Sequence, residues 1–274
     1  MGGDDKVKIN AVVFDWAGTI VDFGSLAPMG AFVQLFERHG VPVTIAQARV
    51  PMGLPKIDHI RAMGRMPEIA QAWRVAHAGR DFSEDDAQSL LQEFEPMSAQ
   101  SAWDCRAFIP GFLETYAWLQ SQGIRVATTT GYTRRIMAPI IAHAAEQGFV
   151  PDAVICCDDV LRSRPDPMGM LACCTAMGLA PGLQILKVDD TAPGIEEGLN
   201  AGCLTLGVAA SGNALGWSLP QWEARSADER EAALGVARAQ LEAAGAHGVI
   251  NSVADLPHAV ETIAERLRLG GTAV

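Results

Sequence analysis

The sequence has 274 residues, of which 49% are hydrophobic, and a formal net charge of −11. This length allows one large domain with a smaller inserted one. The negative charge argues against nucleic acid or an anionic membrane as the main partner, because both bind basic surfaces. The start lacks a basic and apolar leader, and no apolar run is long enough to span a bilayer, so we expect a cytoplasmic protein. The six cysteines include no CxxC pair and are expected to be reduced thiols.

The stretch VKINAVVFDWAGTIVD, residues 7–22, contains the first candidate for chemistry. Its apolar run, residues 11–14, is typical of a buried parallel strand. Asp15 ends this strand and precedes a turning loop with Gly18 and Thr19. Open α/β sheets bind ligands at the carboxyl ends of their strands. Asp15 is therefore placed for chemistry, and the alternative is an aspartate that only caps a turn.

The rest of the chain divides into two parts with different patterns of apolar residues. Residues 25–103 show apolar side chains three and four positions apart, which is the helical period. From residue 103 onward, apolar strands and helical segments alternate, which indicates a doubly wound, Rossmann-like parallel sheet. We predict an α/β core, residues 1–22 and 104–274, and an inserted all-helical cap, residues 23–103. The strands after the first are expected at residues 124–130, 153–157, 185–190, 204–209 and 248–250.

Three further segments carry polar residues near the ends of predicted strands. The run TTTGY, residues 128–132, offers hydroxyls and backbone amides that can hold a phosphoryl oxygen, and which threonine points into the site stays open. Arg164, in RPDP, supplies a permanent positive charge. Asp189 and Asp190 offer the oxygen ligands that Mg²⁺ prefers. Asp, Thr, Arg and Asp at four strand ends are hard to explain as packing alone.

The cap segment PMGLPKIDHIRAM, residues 51–63, places a lysine at an unusual position. Pro55 predicts a helix start, so Lys56 falls in the first turn and His59 on the same face. The positive end of the helix dipole favours the neutral amine, and a lysine with a lowered pKa is what Schiff-base formation needs. The alternative is a solvated lysine beside a polar histidine.

These motifs together resemble those of the haloacid dehalogenase (HAD) superfamily, whose first aspartate is the nucleophile in phosphoryl transfer. DWAGT, PMGLPKIDH, TTTGYTR, RPDP and DDTAPGIEEGLNAG, in this order, resemble the phosphonatase (phosphonoacetaldehyde hydrolase) family over nearly the full length. The resemblance implies that Asp15 is the nucleophile and Lys56 the Schiff-base lysine. It implies that Met52 and His59 line the site from the cap, that Thr130, Gly131, Tyr132 and Arg164 bind substrate, and that Asp15, the Ala17 carbonyl and Asp190 bind Mg²⁺.

The implied reaction is hydrolysis of the P–C bond of phosphonoacetaldehyde, a small-molecule substrate. Two positions depart from the wider superfamily: Ala17 stands where most phosphatases have an acid, and Gly194 where many members have another. Whether Asp189 compensates directly or through water stays open, as does the choice between a proton shuttle and a structural hydrogen bond for His59. The alternatives are a HAD phosphatase or phosphomutase acting on a phosphate ester, and a silent binding protein. The sequence leaves open whether the chain forms a homodimer.

Overall fold

A six-stranded parallel β-sheet forms the centre of the protein. The computed structural model describes residues 8–268, with side chains through residue 266. The strands pair in the order β3-β2-β1-β4-β5-β6, and every pairing is parallel. The predicted doubly wound α/β fold is confirmed. The strands are β1 (Ala11–Phe14), β2 (Arg125–Thr129), β3 (Ala153–Ile155), β4 (Ile185–Asp189), β5 (Leu204–Val208) and β6 (Gly248–Ile250).

Successive side chains of β1 pack on opposite faces of the sheet, as the period of a strand requires. Val12 and Phe14 belong to one buried cluster, and Ala11 and Val13 to another. Both faces are therefore covered, which explains why β1 reads as a continuous apolar run. The helices that follow residue 104 are α6 (Phe112–Ser121), α7 (Arg134–Glu146), α8 (Met168–Ala176), α9 (Ala192–Asn200), α10 (Leu219–Glu223), α11 (Ala227–Ala243) and α12 (Leu256–Arg268).

The segment between β1 and α6 is helical. A separate buried cluster draws all its members from residues 29–97, so these helices have a core of their own. The predicted domain boundaries at 22/23 and 103/104 stay a prediction. Among the described residues, no helix is long and apolar enough to cross a membrane. The cap helices are α1 (Ala27–Arg38), α2 (Ile45–Arg49), α3 (Lys56–Gly64), α4 (Pro67–Ala76) and α5 (Glu84–Asp104).

The two connections between β1, the cap helices and α6 lie side by side. The backbone N–H of Asp22 donates to the carbonyl of Ala107 at 3.2 Å. The Asp22 carboxylate accepts hydrogen bonds from the N–H groups of Leu26 and Ala27, each at 2.9 Å, at the start of α1. Asp22 and Ser25 both adopt positive φ, at 58° and 50°, which is costly for residues with a side chain. The first connection is thus short, strained and held by a buried carboxylate.

Candidate active site

The carboxyl ends of three central strands meet at one level. Phe14 of β1 is in register with Thr128 of β2 and with Val188 of β4. The residues that follow Phe14, Thr128 and Val188 therefore lie at the same edge of the sheet. The residue that follows Phe14 is Asp15. The N–H of Asp15 donates to the carbonyl of Val188 at 3.0 Å, which fixes its backbone. The strand register thus places Asp15 at the carboxyl end of β1, as the sequence predicts.

A small cavity of about 30 Å³ lies where this edge meets the cap. The cap lies close against the core at this cavity: a Cβ at Gly53 would lie 2.5 Å from Thr191 Oγ1, and one at Gly131 would lie 3.5 Å from the carbonyl oxygen of Leu54. His59 and Asp190 are absent from the lining. Residues predicted for the site that line it are Asp15, Ala17, Met52, Lys56, Thr130, Gly131, Tyr132 and Arg164, and the others are Ser25, Pro28, Gly53, Leu54 and Thr191.

Asp15 is paired with a buried arginine. Arg164 Nη1 lies 2.7 Å from Asp15 Oδ1, and the two residues are 3% and 5% exposed. Burial raises the pKa of Asp15 to about 6, while the positive charge of Arg164 opposes the rise. The Asp15 carboxylate is thus ionised near neutral pH and held in one orientation.

Three buried carboxylates form a candidate metal centre beside the cavity. Asp15, Asp189 and Asp190 place ligand oxygens within 4.8 Å of one another. Asp190 accepts hydrogen bonds from Thr19 Oγ1 at 3.2 Å and from the N–H of Asn213 at 2.7 Å, and no lysine or arginine among the described residues pairs with it. Burial and the charges of the other two aspartates raise its pKa well above the ordinary range. A crowded set of hard oxygen donors with one uncompensated carboxylate fits a divalent cation.

The structure shows why residue 194 is a glycine. A Cβ at Gly194 would lie 2.0 Å from Asp189 Cγ, so the Asp189 carboxylate occupies the space of a side chain at 194. Asp189 Oδ1 accepts from both the N–H and the hydroxyl of Thr191, at 3.0 and 2.8 Å. Its pKa is lowered because Arg164 and Lys187 outweigh the effect of burial. The Asp189 carboxylate thus lies where a side chain at 194 would be, and its compensation for the missing acid, directly or through water, stays a prediction.

Lys56 enters the cavity from the first turn of α3, after Pro55 at the N-cap. Its side chain is 8% exposed, and Nζ lies 4.7 Å from the centre of the Tyr132 ring and 5.8 Å from that of Phe32. In the described part of the chain, no carboxylate is within ion-pair distance of it. Burial lowers its pKa to about 8, while Cys157 and Asp15 oppose the change. A buried amine among aromatic rings, facing the same cavity as Asp15, can act as a nucleophile toward a carbonyl.

Comparison with known proteins agrees with this geometry. A family model described as haloacid dehalogenase-like hydrolase matches residues 9–202. The phosphonoacetaldehyde hydrolase of Paraburkholderia xenovorans (strain LB400) is 45% identical over 264 residues, covering 96% of this chain and 98% of the relative. That of Hahella chejuensis (strain KCTC 2396) is 42% identical over 262 residues, covering 96% and 89%. A crystal structure of a phosphonoacetaldehyde hydrolase-like protein from Oleispira antarctica is 42% identical, with a TM-score of 0.94 over 96% of this chain and 95% of that one.

This chain belongs to the phosphonoacetaldehyde hydrolase family. The match extends through the cap as well as the core, because the aligned part covers nearly the whole chain. Lys56 and Asp15 lie in different parts of that matched length, yet they line one cavity.

His59 lies on the same helix as Lys56 but behind the cavity lining. Its ring is fully buried and stacks on Phe32 with ring centres 3.8 Å apart. Nε2 lies 2.9 Å from the carbonyl oxygen of Ala48, and Nδ1 has no partner among the described residues. Burial and the Lys56 charge keep its pKa well below the usual range, so the ring is neutral. A role for His59 in proton transfer stays a prediction. Its hydrogen bond to the Ala48 carbonyl is consistent with the structural alternative.

A buried charge network behind Asp15 was not anticipated from the sequence. Lys187 Nζ lies 3.1 Å from Glu197 Oε2, 3.2 Å from Asp189 Oδ2 and 2.6 Å from Thr129 Oγ1. Glu197 Oε2 also lies 3.1 Å from Arg164 Nε. The network, defined as Thr129, Arg164, Lys187, Asp189 and Glu197, fixes the guanidinium that contacts Asp15. Its sequence signal is Lys187, a charged residue at the centre of a strand whose other residues are buried.

Proposed function

We propose that this chain hydrolyses the P–C bond of phosphonoacetaldehyde to acetaldehyde and phosphate. Its relatives carry that name at 40–45% identity over 96% of the chain. The observation that carries the proposal is the cavity that Lys56 and Asp15 share. An amine that can form an imine and a carboxylate that can attack phosphorus are the two groups this reaction requires.

Lys56 performs the first part of the reaction. A P–C bond cannot release a free carbanion, so the neutral amine first attacks the aldehyde carbon and water leaves, giving an iminium ion. A pKa of about 8 leaves roughly a tenth of the amine neutral at pH 7. The iminium then accepts the electron pair of the P–C bond and becomes an enamine, which is protonated and hydrolysed to acetaldehyde and free Lys56.

Asp15 performs the second part. Its carboxylate attacks phosphorus as the P–C bond breaks, and water later cleaves the aspartyl phosphate to release phosphate. Arg164, held at 2.7 Å by the charge network, offsets the developing negative charge. The leaving group is an enamine carbon instead of an alkoxide, so no acid is required at Ala17. Thr130, Gly131 and Tyr132 line the cavity where the phosphoryl oxygens would bind, and Met52 closes it from the cap.

The proposed metal is Mg²⁺, held by Asp15, Asp190 and the Ala17 carbonyl, with Asp189 next to them. When bound, it would neutralise phosphoryl oxygens during attack. The fit rests on three crowded carboxylates, of which Asp190 lacks a cationic partner among the described residues. A cytoplasmic location, action without nucleic acid or membrane, and a homodimer stay predictions.

The test compares substrates and variants. Wild-type protein should release acetaldehyde from phosphonoacetaldehyde and turn over the ester p-nitrophenyl phosphate far more slowly. Lys56→Arg keeps the charge but cannot form the imine, so P–C cleavage should fall to less than about a thousandth. Lys8→Arg, at an exposed lysine, is the matched control. Robust cleavage by Lys56→Arg, or a preference for the ester, would favour a phosphatase or phosphomutase instead.

A further inference from the structure

Arg49, at the end of α2, reaches from the cap to the core. Its Nη1 donates to the carbonyl oxygens of Gly24 and Asn213, at 3.1 and 3.2 Å, and to Asn213 Oδ1 at 3.1 Å. Its Nη2 donates to the carbonyl of Gly216 at 3.3 Å. One half-buried guanidinium therefore joins a cap helix, the first connection and the loop after β5, residues 209–216. Its acceptors are neutral, so the contact depends on the shape of the fork more than on charge.

The backbone is shaped to receive this side chain. Gly216 has φ of +60°, and a Cβ there would lie 2.2 Å from Arg49 Cζ. Only a glycine leaves the guanidinium room against the chain while adopting this conformation. Gly216 thus leaves the recess in the core surface that the Arg49 guanidinium occupies.

The loop that receives Arg49 also holds the candidate metal centre. The N–H of Asn213 donates to Asp190 Oδ2 at 2.7 Å, while the same residue accepts from Arg49 through two oxygens. Ser211 Oγ donates to the carbonyl of Gly18 at 2.7 Å, and the N–H of Gly24 donates to the carbonyl of Ser211 at 2.7 Å. The nucleophile loop, the first connection and Asp190 are all restrained by the segment that Arg49 clamps.

We propose that Arg49 is a positioning residue that couples closure of the cap to the orientation of the Asp190 carboxylate. When the cap opens, the guanidinium leaves its acceptors and the loop loses its clamp, so the Asn213 N–H no longer fixes Asp190. When the cap closes, Asp190 is set for its cation. The inference rests on the proposed function for its purpose, since cap closure would complete the site in which the P–C bond is cleaved.

If Arg49 acted through its charge alone, removal of that charge would strengthen metal binding. Its positive charge is attracted to Asp190, and like charges repel, so a cation at Asp190 would bind more tightly once Arg49 is neutralised. The positioning role predicts weaker binding, because the carboxylate loses its restraint. The direction of the change therefore separates the two roles.

The experiment uses the whole chain with Mg²⁺ alone and no substrate. Arg49→Lys keeps the charge and loses the fork, Arg49→Met loses both, and Arg74→Met removes a cap arginine paired with Asp81 at the surface as a control. Calorimetry gives the Mg²⁺ Kd, and hydrogen exchange gives the opening of residues 22–26 and 211–216. We expect both Arg49 variants to raise the Kd and the exchange rates by about fivefold or more, the lower range of site-to-site coupling, with the control unchanged.

Unchanged or tighter Mg²⁺ binding in the two Arg49 variants, or wild-type exchange in both segments, would overturn the proposal. Arg49→Lys keeps the test valid if Arg49→Met fails to fold. Neither readout involves phosphonoacetaldehyde, so failure here is separate from failure of the proposed reaction, which Lys56→Arg tests.

Discussion

Gly194 is the position where the geometry makes the most quantitative prediction. In Gly194→Ala, the added Cβ would lie 2.0 Å from Asp189 Cγ and Oδ2 and 2.2 Å from Oδ1. Overpacking a buried site costs about 1–3 kcal/mol. Displacing the carboxylate from Arg164 and Lys187 would also weaken a buried pairing whose disruption costs about 3–5 kcal/mol. We expect a loss of about 4 kcal/mol in the free energy of unfolding.

Urea denaturation measures this loss, and a drop in Tm of roughly 10 °C should accompany it. Gly235→Ala is the control, because a Cβ there meets no atom within 4 Å and the site is inside α11. That substitution should be neutral or stabilise by about 0.5–1 kcal/mol.

The exchange variant Asp189→Gly/Gly194→Asp separates steric overlap from loss of the acid. It keeps one carboxylate but moves it from β4 to α9, where the space left by Asp189 receives it. The exchange variant should recover most of the free energy of unfolding that Gly194→Ala loses, because the steric overlap is gone and the charge network keeps one carboxylate at this place. A Gly194→Ala protein within about 1 kcal/mol of the wild type would refute the reasoning, as would an exchange variant no more stable than the single one.

Four further predictions concern charge. Because burial lowers the pKa of Lys56 to about 8, imine formation should rise with pH and level off above about 8, and a midpoint near the ordinary 10.5 would count against the buried amine. Asp15→Asn should abolish turnover with an unchanged circular dichroism spectrum, and EDTA should silence the wild type until Mg²⁺ is restored; full activity after exhaustive chelation would exclude the proposed metal. Lys187→Met should cost about 3–5 kcal/mol in urea denaturation by leaving Glu197 and Asp189 short of a cation, and Glu197→Gln in the same chain should return part of it.

Strand ends could be predicted because their signals are local. The apolar run before Asp15 gives the strand, and the rule that ligands bind at carboxyl ends gives the site. The five-residue helix α2 was not predicted, because it is too short to show a period, although Thr44 and Gln47 form a capping box at its start. Helix α5 continues through Pro96 to Asp104, although a proline inside a helix removes a hydrogen bond, and the helix packs on α1 and α7.

The parts of the site that sequence could not supply depend on contacts between distant segments. Lys187 and Glu197 are ten residues apart, and only the burial of β4 and α9 against each other turns them into a pair. The overlap between the Asp189 carboxylate and a side chain at 194 is visible only once both backbones are placed. Arg49 falls in a segment without a motif, and its acceptors are mostly backbone carbonyls, which carry no sequence signal.

The most direct test of the proposed chemistry is trapping of the imine. Borohydride added during turnover of phosphonoacetaldehyde should inactivate the wild type and leave an ethyl group on Lys56. The chain has four lysines, at positions 6, 8, 56 and 187, so peptide mapping assigns the adduct without ambiguity. A protein with Lys6→Arg and Lys8→Arg should still be trapped at Lys56, and Lys56→Arg should not be trapped. An adduct at another amine, or turnover that borohydride leaves intact, would contradict the Schiff-base mechanism.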